Sequence, residues 1–434
     1  MTISDSTRAC AQELLNFIDA SPSPWHAVES TKQRLLAENY QALDEREVWQ
    51  LKKGQGYLVV RGGSSIIAFK LGQSELVNMG LRIIGAHTDS PGLRLKPKAS
   101  FDGGGYVRIG VEVYGGPILA TFADRDLSLA GRVSVRNGDG FETKLVKFDQ
   151  PVLRLPNLAI HMNREVNEQG LKFNKQTELP LILSALENNL DSDQTFISIL
   201  SSALGVSADA IINWELNVFD TQKGIFWGAH QEFIADSQLD NLASCHAALT
   251  ALLATDKPIS TTLCAFFDHE EVGSQSAAGA GGSFLADIIQ RISNNLGLSE
   301  EAQKQGLANS FFISADMAHA YHPNFPAAYE PCHHALVNHG PVIKTNANQR
   351  YSTGADTAAK FIQLCEHAGV PYQQYAHRTD LGCGSTIGPI VAANLGIASV
   401  DVGSPMWAMH SLRESAGALD HEYMIKVFKE MFAS

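Results

Sequence analysis

From about His230 to its end, the chain alternates short apolar runs with helix-patterned ones. The segments "TTLCAFFDHEE", "NSFFISADMAHA" and "GIASVDVGSPM" read as strands. Between them "NLASCHAALTALLAT", "GGSFLADIIQRIS" and "TGADTAAKFIQLCEHAG" carry the spacing of helices. Such alternation calls for a parallel or mixed sheet covered by helices on both faces. In sheets of that kind, chemistry collects where the strands end at their carboxyl side.

The strand ends are polar in a telling way. "LRIIGAHTDS" runs out in His87 and Asp89, and "EFIADSQLDN" holds Asp236 and Asp240 ahead of a helix. "LCAFFDHEE" closes on Asp268, His269, Glu270 and Glu271. "FFISADMAHA" reaches Asp316, with His319 after it, and "SVDVGSPMWAMHS" reaches His410. A single His or Asp at a strand end is usually a cap or a turn former. Five such ends on one sheet edge would repel and shift one another's pKa values, and a divalent metal removes that conflict. Imidazole and carboxylate donors without thiolate suit zinc, with cobalt or manganese as alternatives. Two histidines and three or four carboxylates exceed the ligand set of one catalytic zinc. They fit a pair of ions about 3.5–4 Å apart that share a bridging carboxylate.

Adjacent Glu270 and Glu271 make sense in that setting. If the strand continues through them, they point to opposite faces. One then binds metal while the other faces a water as general base. The helix-borne HExxH arrangement is excluded, because the fourth residue after His269 is Gly273. Asp89 has two readings: it orients a ligand's imidazole, or it forms a turn before Ser90 and Pro91.

The amino-terminal third reads as a helix over 6–19 and a second helix with Ser23 as N-cap and Pro24 first. A hairpin around Gly62 and Gly63 follows. From about Lys96 to Trp227 short strand-like runs dominate, with one helical stretch expected at "LPLILSALENNL". With 434 residues, 44% hydrophobic, the chain has ample apolar content for more than one domain. A net charge of −13 without a basic cluster argues against nucleic acid and anionic membranes as partners. No apolar window reaches membrane-span length and the start lacks a secretory pattern. The six cysteines are scattered, which suits free thiols in a reducing compartment, so a cytoplasmic location is expected.

The ordered set "AHTDSPG", "LDNL", "DHEEVGS", "SADMAHA", "GPVIKTNANQRY", "GCGSTIGP" and "GSPMWAMHS" resembles the aspartyl aminopeptidases, across essentially the whole chain. The resemblance implies a dinuclear zinc exopeptidase that removes N-terminal Asp or Glu from peptides. It implies His87, Asp240, Glu271, Asp316 and His410 as metal ligands, with Asp240 rather than Asp236 as the bridge. Glu270 matches the general base and Asp89 the residue that orients the site. It also implies a catalytic domain of residues 1–96 and 231–434 interrupted by a β-rich dimerisation domain of residues 97–230. His161, in "NLAIHMNREVN", matches a histidine that reaches a neighbouring subunit's site, in a homo-oligomer expected to be a dodecamer built from dimers. Lys344 matches the partner of the substrate's acidic side chain. It stands with Arg350 and Tyr351 in what reads as a polar loop after a short strand. The Gly-rich stretch, with Gly384, is expected to bring backbone N–H groups and the Ser385 and Thr386 hydroxyls close to substrate. The rival readings are a related aminopeptidase or deacylase that prefers neutral residues, and a non-catalytic protein stabilised by the metal.

Overall fold

The computed structural model describes residues 2–185 and 191–434. It divides into two units. The first comprises Met1–Asp89, Gly224–Met409 and Glu414–Ser434; the second comprises Ser90–Lys223 and His410–Arg413.

The first unit is built on a nine-stranded mixed sheet. Its middle strands are Leu81–His87, Thr261–Phe267, Phe311–Ala315 and Ala398–Gly403, all parallel to one another. Antiparallel strands flank them on either side. These middle strands read as unbroken apolar runs because both faces are covered. Alternate residues divide between two cores. Ile84, Ala86, Cys264 and Phe266 join one with Phe17, Leu242, Leu249 and Phe428, which lie on helices. Leu81, Ile83, Leu263, Ala265 and Phe267 join the other with Phe284, Ile288, Ile292 and Val391. A one-residue slip of any of these strands would exchange its two sets of side chains. The fold is thus α/β, with helices on both faces of a largely parallel central sheet.

Local signals act as chemistry requires. Ser4 caps the helix Asp5–Asp19 by accepting the Thr7 N–H, and Ser23 caps Pro24–Ala37 with proline at the first helical position. The hairpin Gly56–Arg61 and Ser65–Lys70 turns through Gly62 and Gly63.

The second unit is a six-stranded antiparallel sheet with its own core of Leu93, Ile109, Leu129, Val133, Leu216 and others. One expectation fails here. Residues 181–185 of the stretch read as helical form the strand Leu181–Ala185, paired with Tyr106–Tyr114, and 186–190 lie outside the described residues. The helix follows at Ser192–Leu204, capped by Asp191 and closed by left-handed Gly205. A five-residue apolar run fits strand or buried helix equally, and only the caps at 191 and 205 distinguish them. Phe196 and Leu200 anchor this helix to the sheet, with Phe196 set edge-on to Trp214.

Candidate metal centre

Parallel pairing brings several polar strand ends together. His87 is the last residue of its strand and lies opposite Phe267 in the register, so the Asp268–Glu271 segment leaves the sheet beside it. On the other side, Asp316 follows Ala315, and its N–H donates to the Val402 carbonyl at 2.9 Å. Asp240 enters the same region from the first turn of the helix Leu239–Leu253. Its backbone N–H donates to Glu414 Oε2 at 3.0 Å, and the Asn241 side-chain amide donates to the Ala315 carbonyl at 2.8 Å. Glu414 and Asn241 thereby tether the Asp240 turn to the sheet. No spacing in the sequence singles them out.

His87 is 1% exposed. Its Nε2 lies 3.5 Å from Asp240 Oδ1 and 3.6 Å from Asp316 Oδ1. A good N–H to oxygen hydrogen bond is shorter, about 2.7–3.2 Å. For a tetrahedral zinc with bonds near 2.1 Å, the ligand–ligand edge is about 3.4 Å. Both measured edges match that spacing, and all three ligand atoms lie within 4.8 Å of one another, as ligands of a common ion would. His87, Glu270 and Glu271 form a second group whose ligand atoms all lie within 4.8 Å of one another. No thiolate belongs to either group. This donor set fits zinc.

The electrostatics point the same way. Burial disfavours a charged His87 ring, but the carboxylates of Asp240, Asp316 and Asp89 outweigh it and hold its pKa well above the usual value. Burial raises Glu270 to about 8; the nearby imidazolium opposes that rise, while Asp316, Asp89 and Asp240 add to it. The chain alone keeps protons where negative charge is crowded, and a divalent cation serves the same need.

Asp89 is fully buried, and its carboxylate straddles the paired glutamates. Oδ1 accepts the Glu270 N–H and Oδ2 the Glu271 N–H, both at 3.1 Å. Its own carbonyl lies 3.0 Å from His87 Nδ1, which sets Nδ1 as the donor and frees Nε2 to face the carboxylates. One residue thus aims an imidazole and a pair of glutamates.

The strand does not continue through those glutamates, contrary to expectation. It ends at Phe267; His269 turns left-handed at φ 65°, and Glu270–Val272 form a 3₁₀ turn. About 120° of rotation per residue separates the two side chains, rather than strand alternation. Lys344 also departs from the expected polar loop. It lies on the strand Val342–Thr345 and is 2% exposed. Its ammonium donates to the carbonyls of Asp316 at 3.0 Å and Met317 at 3.1 Å, and stands 5.1 Å from the Tyr351 ring centre. Arg350 and Tyr351 do lie on the loop that follows. Tyr351 is buried and Arg350 exposed. Gly384 and Ser385 occupy an exposed loop, with the Ser385 hydroxyl donating to the Arg350 carbonyl at 3.3 Å.

His410 and His161 belong to the second unit. His410 has φ 70°, and its Nδ1 lies 3.1 Å from the Gly116 carbonyl, a contact that fixes the orientation of the ring. His161 sits on an exposed stretch between Leu158 and Met162, which are 63% and 74% exposed.

The family described as aminopeptidase I zinc metalloprotease (M18) matches residues 17–432. A protein of Ectopseudomonas mendocina named "Probable M18 family aminopeptidase 2" is 46% identical over 429 residues, covering 98% of each chain. Among solved structures, Ape4 in its complex with Nbr1 superposes with a TM-score of 0.96 at 37% identity, over 100% of this chain and 88% of that one. The S. cerevisiae mApe1 dodecamer gives 0.85 at 28% identity, over 97% and 96%. The chain belongs to the M18 family of zinc aminopeptidases.

Proposed function

We propose that the protein is a dinuclear zinc aminopeptidase that removes N-terminal Asp or Glu from peptides. The observation that carries the proposal is the spacing of His87, Asp240 and Asp316 as ligands of one ion, with Glu270 and Glu271 gathered beside them. Asp240 would bridge two ions, with His87, Asp316, Glu271 and His410 completing the set. When bound, the metals supply carbonyl polarisation and an acidified water.

The chain's own groups do the rest. Glu270 takes a proton from the attacking water and passes it to the leaving amine. The base must be ionised to accept that proton, and bound cations would offset the burial that raises this carboxyl in the metal-free chain. Asp89 holds the Glu270 backbone in place for that transfer. Lys344 donates to two backbone carbonyls and stands 3.7 Å from Asp316 Oδ2, and its positive charge at that place supports recognition of a substrate carboxylate. A buried cation beside the site attracts an acidic substrate side chain more than a neutral one. Tyr351, Gly384 and Ser385 would line the substrate's path.

The second unit is proposed to serve dimerisation, with His161 completing a neighbouring subunit's site and the dimers building a dodecamer. The exposed apolar residues around His161 support an intersubunit role. No helix among the described residues is long and apolar enough to cross a membrane, and all six cysteines are free; both fit the proposed cytoplasmic location.

The test compares Asp-, Glu- and Leu-initiated peptides with metal content measured in the same sample. Chelation is expected to abolish hydrolysis and zinc to restore it, with Asp or Glu preferred. Faster cleavage of the Leu peptide would contradict the role of Lys344.

A further inference from the structure

One buried carboxylate lies outside the metal centre and is used by nothing described so far. Asp401 stands on the strand Ala398–Gly403 and is fully buried. Its Oδ2 accepts the Ser352 N–H at 2.6 Å and the Ser352 hydroxyl at 2.7 Å. Its Oδ1 accepts the Thr386 hydroxyl at 2.5 Å, and its own N–H donates to Thr353 Oγ1 at 2.9 Å.

Those partners lie in two different loops. Ser352 ends the loop that carries Arg350 and Tyr351, just before the helix Ala355–Ala368. Thr386 ends the loop that carries Gly384 and Ser385, and caps the helix Ile387–Leu395. The two loops follow the neighbouring parallel strands Val342–Thr345 and Gln373–Ala376. Between them opens a cavity of about 460 Å³ lined by Asn346, Arg350, His377, Arg378 and Cys383 among others. Two direct contacts join the loops, the Ser385–Arg350 bond at 3.3 Å and a side-chain bond between Tyr351 and Cys383. The Asp401 carboxylate is thus the buried post to which the ends of both loops are tied.

The same strand also holds the metal centre. Val402, the next residue, accepts the Asp316 N–H. A side chain at Gly403 would collide with the Asp316 carbonyl, and one at Gly388 with the Asp401 carboxylate. The tripeptide Asp401-Val402-Gly403 sets the substrate loops and a candidate ligand in one frame.

We propose that Asp401 is a positioning residue for peptide binding, which fixes both walls of this cavity relative to Asp316. The proposal rests on the reading that the loops bearing Tyr351 and Ser385 contact substrate. Removing the carboxylate leaves the Ser352 and Thr386 donors without their acceptor and frees both loop ends. Asparagine keeps an acceptor for Ser352, and its amide can donate to the Thr386 hydroxyl.

The test uses the full-length, zinc-loaded protein. Asp401→Ala is expected to raise KM for an Asp-initiated peptide by about tenfold or more, with kcat reduced much less and metal content unchanged. Asp401→Asn is expected to restore most of the KM. Amide hydrogen exchange, read without substrate, is expected to speed up over 346–352 and 380–386 in the alanine variant. Unchanged exchange overturns the clamp, whatever the loops bind. Faster exchange with unchanged KM overturns the substrate role of the loops, and with it the proposal. If the alanine variant does not fold, Thr386→Val cuts one arm, and Ser352→Ala weakens the other by removing its hydroxyl bond while the backbone N–H bond stays. Thr386→Ser, which keeps the hydroxyl, is the matched control. A fall in melting temperature without a KM change in these variants would mark a purely structural role and contradict the proposal.

Discussion

The carboxylate of Asp89 accepts the backbone N–H of Glu271 at 3.1 Å while its other oxygen accepts that of Glu270. Both oxygens are committed, so an amide cannot replace the carboxylate. In Asp89→Asn one N–H must face an NH₂ group, and the 3₁₀ turn shifts. Residues that orient metal ligands typically contribute about 10- to 100-fold in affinity or activity. Zinc affinity measured by competition with a chromogenic chelator is therefore expected to fall by about that factor. Unchanged affinity and turnover would show that the turn is held by other means.

Metal loading is expected to release protons at neutral pH. In the metal-free chain His87 is held well above its usual pKa and Glu270 lies at about 8, so both carry protons at pH 7. A ligating imidazole must be neutral. Calorimetric titration with zinc in buffers of different ionisation enthalpy is expected to show release of about one proton or more per subunit. A binding enthalpy independent of the buffer would contradict the protonated resting site.

A second pair of histidines makes stability depend on pH. His246 and His421 are buried between helices, with His246 Nδ1 2.8 Å from His421 Nε2 and His246 Nε2 bonded to Glu13, which also pairs with Arg34. Burial lowers both histidine pKa values below the usual 6.5, that of His421 by far the more. At these two rings, therefore, the unfolded state binds more protons than the folded one below pH 6.5. Stability contributed by the neutral rings is complete above 6.5 and is lost as pH falls, by up to about 1.4 kcal/mol per pH unit per ring. In denaturant midpoints measured from pH 7.5 to 5, the stability difference between the wild type and His421→Gln is expected to shift in favour of the variant as pH falls. A difference that does not vary with pH would assign the acid sensitivity elsewhere.

The strand-and-helix alternation after His230 was readable because apolar runs buried on both faces carry a strong signal. The polar residues at their ends were readable for the same reason, since His87 and Asp316 stand where hydrophobicity stops. What escaped was local backbone geometry. His269 adopts positive φ without being glycine, so nothing in "FFDHEE" marks the turn that separates Glu270 from Glu271. Lys344 reads as a loop lysine because a lysine is usually exposed; its burial depends on carbonyls contributed by a distant strand end. Asp401 hides inside "SVDVG" as one polar letter in a strand, since its partners lie 15 and 49 residues away. Glu414 and Asn241 were invisible for the same reason.

The central claim is that one of the adjacent glutamates works on a proton while the other holds metal. Glu270→Gln tests it most directly, with turnover and bound zinc measured on the same preparation. The account predicts a loss of kcat of about 100- to 10,000-fold, the usual worth of general acid–base catalysis, with two zinc ions per subunit retained. Loss of zinc together with turnover would contradict it.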